Sequence, residues 1–154
     1  MKYIADSSLF ITGKRIEGII ITVPSVLDEI RDERSRTIME LMNVRIEPVL
    51  QSFLREVKSK ARETKDSEEL SGTDLDLLAK ALEYSRNENT ILVTDDYAVQ
   101  NTAIQLGIKV IPAGGKKIKD VLLWEKFCIG CKRRFPAGDD CPVCGTPLKK
   151  MSKK

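Results

Sequence analysis

The chain contains no histidine. Imidazole acid–base chemistry is therefore excluded, as are serine–histidine and cysteine–histidine nucleophile pairs. The catalytic equipment that remains is carboxylate, metal and water. Aromatic residues are scarce, at 5% of the chain, and no apolar run reaches the roughly 18 residues a membrane span needs. The opening Met1-Lys2-Tyr3-Ile4-Ala5-Asp6 lacks a long apolar stretch with a small-residue cleavage site, which argues against secretion and for a cytoplasmic protein.

What is present suits one medium domain plus a small appendage: 154 residues, 42% of them hydrophobic, enough for a packed core. The net charge of +3 conceals an asymmetry. From Trp124 onward eight basic residues face three acids, so this tail carries +5 and residues 1–123 about −2. One zinc ion on four thiolates would leave the tail near +3, still basic and suited to a polyanion.

Strand and helix signals alternate through residues 1–123. Short strands are expected over 2–6, 18–23, 90–94 and 108–111, with a weaker one over 44–49 that Pro48 restricts to an edge or an end. Helices are expected after Pro24, around 37–42, and over 51–69, the last running into a mobile segment near 65–69. Ser71-Gly72-Thr73-Asp74 reads as a turn and N-cap before a buried helix, and a further helix over 97–106 ends at Gly107. Such alternation predicts an α/β fold with a mostly parallel sheet covered by helices, whose sites gather at the carboxyl ends of the strands. The expected division is a domain over 1–112, a linker over 113–123 and a cysteine-bearing tail over 124–154.

The tail holds all four cysteines, as Cys128-x-x-Cys131 and Cys141-x-x-Cys144. Paired knuckles of this kind close a tetrahedral thiolate shell, and the tail has almost no core without one. Disulfides would need an oxidising compartment that nothing here suggests. Zinc is favoured over iron because no redox partner motif accompanies the knuckles. Four cysteines leave no open coordination position, so the expected role is structural, shaping Lys132, Arg133, Arg134 and Phe135 into a surface for phosphate contact and base stacking. Packing of Phe135 on a knuckle is an equal alternative.

Two apolar runs end on aspartate, at Asp6 and at Asp95-Asp96, and Glu29 and Asp74 lie beside two more. Each alone has an ordinary explanation as a cap or an exposed helical acid. Jointly, four carboxylates crowded at strand ends repel unless cations neutralise them. Hard ions such as Mg²⁺ or Mn²⁺ prefer oxygen ligands and can activate water toward a phosphodiester.

The series Ile4-Ala5-Asp6-Ser7-Ser8, Val23-Pro24-Ser25-Val26-Leu27-Asp28-Glu29-Ile30, Ser71-Gly72-Thr73-Asp74-Leu75-Asp76-Leu77-Leu78-Ala79 and Leu92-Val93-Thr94-Asp95-Asp96-Tyr97 resembles the PIN-domain nucleases over roughly the first 110 residues. Followed by a four-cysteine ribbon, it resembles the archaeal form of the Nin-one-binding endonuclease. That resemblance implies a three-layer α/β/α PIN-like domain and an endoribonuclease that matures the 3′ end of small-subunit (16S) ribosomal RNA in a pre-ribosomal particle, alongside assembly-factor partners. It places the catalytic acids on Asp6, Glu29, Asp74 and Asp96, with Asp76 a weaker choice than Asp74. Of these, Asp6, Asp74 and Asp96 would hold Mg²⁺ or Mn²⁺. Asp95 occupies the variable position of the Thr-x-Asp pattern and is carried as a further acid, and Ser7 and Thr94 fit supporting roles.

The implied reaction is metal-dependent hydrolysis of single-stranded RNA, leaving a 3′-hydroxyl and a 5′-phosphate. The basic ribbon and the charged stretch from Arg55 to Lys65 are expected to dock the strand. Two rivals are a toxin-type PIN ribonuclease, against which the cysteine tail argues, and a non-cleaving RNA-binding assembly factor, against which the complete set of acids argues.

Overall fold

Five short parallel strands form the centre of the first domain. They are β1 (Lys2–Ala5), β2 (Ile19–Thr22), β3 (Arg45–Ile46), β4 (Thr90–Val93) and β5 (Lys109–Ile111), in the spatial order β3-β2-β1-β4-β5. The computed structural model describes residues 1–64, 68–114, 123–135 and 138–153, of which 123–125 and 150–153 are described as backbone. Six helices connect the strands: α1 (Ser7–Thr12), α2 (Pro24–Glu29), α3 (Glu33–Leu41), α4 (Gln51–Thr64), α5 (Gly72–Ser85) and α6 (Tyr97–Gln105). This is the expected three-layer α/β/α arrangement. No described helix is long and apolar enough to cross a membrane.

The sheet is buried on both sides, which is why its strands read as continuous apolar runs rather than alternating ones. Ile4, Ala5, Ile21, Leu92 and Val93 have no exposed surface, and Leu9, Phe10, Val26, Val57, Leu77, Leu78 and Val99 close over them from the helices. The chain passes from β1 outward to β2 and β3, then crosses back to place β4 on the other side of β1. The strand order therefore reverses between β1 and β4, and in open α/β sheets that reversal opens a crevice at the strands' carboxyl ends.

Three local differences from the sequence signals have clear causes. The short helix α1 carries no announcing periodicity; it forms because Asp6 caps it and Gly13, at φ 69°, ends it. Helix α3 begins at Glu33 rather than near 37, since Asp32 accepts a hydrogen bond from the Ser35 N–H and nucleates the first turn earlier. The strand expected over 44–49 shrinks to two residues on the sheet edge, as Pro48 requires. Helix α4 ends at Thr64, and the segment expected to be mobile falls partly outside the described residues.

The tail is an antiparallel sheet in the order β7-β6-β8, from β6 (Leu123–Cys128), β7 (Arg134–Phe135) and β8 (Leu148–Lys153). Leu123 pairs with Lys153, so the final residue of the expected linker lies within β6. At the linker's other end Ala113 is buried in the core of the first domain. Residues 115–122 lie outside the description.

Candidate active site

Asp6 follows β1 and Thr94-Asp95-Asp96 follow β4, so all four residues stand where the strand order reverses. Asp6 is the N-cap of α1: its Oδ1 accepts from the Ser8 N–H at 2.8 Å and from the Ser8 hydroxyl, while the Thr94 hydroxyl donates to its other oxygen. Ser8, beside the expected supporting Ser7, is the serine that bonds Asp6 here. An N-cap carboxylate reaches the N–H two residues on, and Ser8 is the residue at that distance. Thr94 is fully buried, and its hydroxyl also accepts from the Asp96 N–H at 3.1 Å. The Gln100 side chain holds the Thr94 carbonyl at 2.8 Å.

Asp74 sits in the first turn of α5 in a reciprocal capping box. Its backbone N–H donates to the Ser71 hydroxyl at 3.2 Å, and its Oδ2 accepts from the Ser71 N–H at 2.9 Å. Glu29, at the end of α2, accepts a 2.6 Å hydrogen bond from the Thr73 hydroxyl and is thereby drawn to the start of α5. Asp96 caps α6 through the Ala98 and Val99 N–H groups at 2.9 and 3.3 Å.

Electrostatics show that these acids share one neighbourhood. Burial pushes the Asp6 carboxyl above its ordinary value, against the lowering effect of its Ser8 and Thr94 hydrogen bonds, and the negative charge of Asp74 adds to the rise. Burial likewise raises Asp74, and the charges of Asp96 and Glu29 push it further in the same direction. Asp74 is therefore the centre of the set, within electrostatic reach of the other three. Asp6, Asp74 and Asp96 each spend an oxygen on a backbone N–H at a helix start. Among the described residues, the four cysteines alone form a group of three or more such ligands close enough to enclose an ion.

Asp95 and Asp76 face other partners. Asp95 accepts from the backbone N–H groups of Ala113 at 2.8 Å and Gly114 at 3.0 Å, tying the end of β4 to the chain beyond β5. Asp76 accepts from the Ser25 hydroxyl at 2.8 Å and joins α5 to α2. Ser71 is the cap expected from the sequence, whereas the contacts of Thr73 with Glu29 and of Gln100 with Thr94 were not expected. The Ser71–Asp74 capping-box spacing was a readable signal, whereas nothing local links Thr73 to Glu29 across 44 positions.

In the tail, the four thiol sulfurs lie within 4.8 Å of one another, with Cys128 and Cys144 at 3.4 Å and Cys131 and Cys141 at 3.7 Å. A tetrahedral site with zinc–sulfur bonds of about 2.3 Å requires sulfurs roughly 3.8 Å apart, so the donor set fits such an ion. Backbone N–H groups of Cys131 and Val143 point at Cys128 and Cys141 sulfurs, each at 3.4 Å. Hydrogen bonding with Thr146, reinforced by Cys128, pulls the Cys144 thiol down to about 6. Against a backbone hydrogen bond from Arg133, burial and the neighbouring Cys128 and Cys141 push Cys131 up to about 11, so the crowded sulfurs do not all favour the thiolate without a cation among them.

Lys132, Arg133 and Arg134 are exposed and Phe135 is half-buried. Arg134 and Phe135 do not share a face. Strand alternation sends Arg134 and Phe135 to opposite faces of the small sheet. The register puts Arg134 opposite Phe127, with Lys149 opposite Phe127 on the other side, while Phe135 stands opposite Lys126.

Residues 3–84 match the family described as the PIN domain of ribonuclease. The chain is 41% identical to "Endoribonuclease Nob1" of Archaeoglobus fulgidus, over 94% of this chain and 87% of that protein. It is 40% identical to "Endoribonuclease Nob1" of Pyrococcus abyssi over the whole chain and 96% of the relative. It is also 33% identical to "Ribonuclease VapC1" of Thermoplasma acidophilum, over 97% of this chain and 78% of that protein. PIN nucleases use divalent metals, and the all-oxygen set around Asp74 has the chemistry to hold one. Fold and full-length similarity agree: the chain belongs to the PIN-domain ribonucleases, in the Nob1 endoribonuclease family.

Proposed function

We propose that this protein is a metal-dependent, single-strand endoribonuclease that matures the 3′ end of small-subunit ribosomal RNA within a pre-ribosomal particle in the cytoplasm. This reading is supported chiefly by the mutual electrostatic influence of Asp74 with Asp6, Glu29 and Asp96, two of which follow β1 and β4 where the strand order reverses. Endoribonuclease activity is supported by the Nob1-named relatives, which match both the PIN domain and the cysteine tail, and the ribosomal substrate is what the family resemblance implies.

Asp6, Asp74 and Asp96 would hold Mg²⁺ or Mn²⁺, with Glu29 supporting, and Cys128, Cys131, Cys141 and Cys144 would hold one structural zinc. The divalent ion supplies positive charge that polarises the phosphodiester and favours deprotonation of the attacking water. Thr94 and Ser8 fix the Asp6 carboxylate, and the capping box fixes Asp74, so neither acid must reorganise as charge develops. Water attacks phosphorus in line and the 3′-oxygen leaves, giving a 3′-hydroxyl and a 5′-phosphate. The ribbon's basic side chains dock the RNA, and assembly factors of the particle are the partners expected beside it.

The test is cleavage of an RNA spanning the small-subunit 3′ junction with Mn²⁺, comparing wild type with Asp6→Asn. Equal rates remove Asp6 from the mechanism. A toxin-type ribonuclease is the second reading, favoured by one observation: the VapC1-named relative matches 97% of the chain, tail included. The cysteine tail therefore does not separate the two. One cut at the junction supports maturation, whereas many cuts in unrelated RNAs support the toxin reading.

A further inference from the structure

Helix α4 segregates its charges. At about 100° per residue, Arg55, Lys58 and Arg62 fall within roughly 60° of one another on one flank of the buried face made by Val57, Ala61 and Thr64. Glu56 and Glu63 lie on the opposite flank, and both are already occupied: Glu56 pairs with Arg86, and Glu63 pairs with Lys60 at 3.2 Å. Arg55, Lys58 and Arg62 are exposed and form no ion pair among the described residues. A solvated helix surface ordinarily intersperses its signs, and opposite charges three or four residues apart support the helix. Here those pairings leave out one row of three cations.

The row has a direction. Arg86, just beyond the end of α5, reaches both Glu56 and the ring of Phe53, whose centroid lies 5.3 Å away. The start of α4 is thus beside the end of α5, and α4 packs along α5 in the antiparallel sense. The end of α4, with Arg62, lies toward the start of α5, with Asp74. The positive row spans about 10 Å along α4 over seven residues, with Arg62 at the end that lies toward the start of α5. An acidic pocket repels a polyanion, so a strand must be held by cations outside that pocket to present one phosphate to it.

We propose that Arg55, Lys58 and Arg62 form a phosphate track along α4 that holds the single-stranded RNA adjoining the cleavage position. The track narrows the docking stretch expected from sequence: Lys60 is committed to Glu63, and Lys65 lies outside the described residues. The row contains no aromatic side chain, so it grips backbone and reads no base. The proposal rests on the nuclease reading, because only a strand cut at the acids needs a guide leading to them.

The test uses the full chain, with anisotropy of a labelled single-stranded RNA of roughly 20 nucleotides measured against salt without added divalent cation. Wild type is compared with Arg55→Gln/Lys58→Gln/Arg62→Gln and with Arg55→Lys/Arg62→Lys. The glutamine variant is expected to bind about tenfold more weakly at low salt, with a log–log salt slope smaller by about 2, since each single-strand phosphate contact contributes about 0.7. The lysine variant should keep the wild-type slope. An unchanged slope and affinity in the glutamine variant overturns the track, which would also be the outcome if the row served an acidic protein. Equal loss in the lysine variant overturns it too, because that would signal a structural role. A wild type that binds with the expected slope but leaves the same RNA uncut once Mn²⁺ is added would instead defeat the nuclease reading, so the two failures are distinguishable.

Discussion

The Thr94 hydroxyl donates to the Asp6 carboxylate from 88 residues away, and its oxygen also accepts the Asp96 N–H at 3.1 Å. One buried hydroxyl therefore sets the position of two acids that come from neighbouring strands. Thr94→Val keeps the shape and removes both interactions. It should cost about 1–3 kcal/mol of stability, because a buried carboxylate oxygen loses its donor. Cleavage should fall alongside, and Thr94→Ser should restore most of both. Chemical denaturation and cleavage rates of the three proteins check this.

Asp6→Asn separates stability from catalysis. Asparagine still caps α1, so the helix survives, while the negative charge next to Asp74 is removed. Cleavage should drop roughly 100-fold or more, as expected when a group stabilising the transition-state charge is lost. Stability at neutral pH should rise by about 1 kcal/mol, the usual direction when a strained functional acid is neutralised. A lowered melting temperature would show that Asp6 is held for structural reasons.

The raised carboxyls of Asp6 and Asp74 define a pH dependence. An acid whose folded value lies above its unfolded one binds its proton more tightly when folded. Its contribution to stability is therefore unfavourable above the folded value and disappears as pH falls to the ordinary carboxylate range. Wild type should gain stability relative to Asp6→Asn/Asp74→Asn as pH drops from neutral toward that range. Divalent cation affinity should weaken over the same interval, since protons compete for the same oxygens. Melting curves of both proteins across pH, with and without Mn²⁺, measure both effects.

Asp95 and Asp96 should respond differently to the same change. Asp95 binds the backbone of Ala113 and Gly114, so Asp95→Asn should destabilise by about 1 kcal/mol through weakened charge-assisted hydrogen bonds and leave metal affinity largely intact. Asp96 lies within electrostatic reach of Asp74, so Asp96→Asn should weaken Mn²⁺ binding and cleavage together. Calorimetric titration of Mn²⁺ into each variant tells them apart; the reverse ranking would exchange their roles.

Removing metal from the tail should unfold it selectively. Among the described side chains of the tail only Cys128 and Cys141 are buried apolar groups, whereas the PIN domain is built around its own apolar cluster. Thiol modification should release one zinc per chain and collapse the resonances of β6–β8 while those of β1–β5 persist. Cys144→Ser should do the same more weakly. Global unfolding on zinc loss would contradict this division of the molecule.

Much of this protein is legible along the chain. The absence of histidine, the acids at the ends of apolar runs and the paired cysteine knuckles pointed to carboxylate–metal chemistry and a thiolate staple, because those signals are local and their spacing is short. Strand positions were readable for a related reason: a sheet buried on both faces demands uninterrupted apolar runs. Other matters needed the folded chain. That Ser8 rather than Ser7 holds Asp6, that Thr73 holds Glu29, and that Asp95 turns to the chain after β5 while Asp96 stands near Asp74 all depend on side-chain direction. Adjacent residues at a strand end point to different places, and which place is acidic or occupied depends on segments dozens of residues away. The same is true of the split between Arg134 and Phe135, and of the cations of α4, whose sequence neighbours include acids that the fold pairs elsewhere. Residue identity determined the available chemistry; packing determined which groups meet.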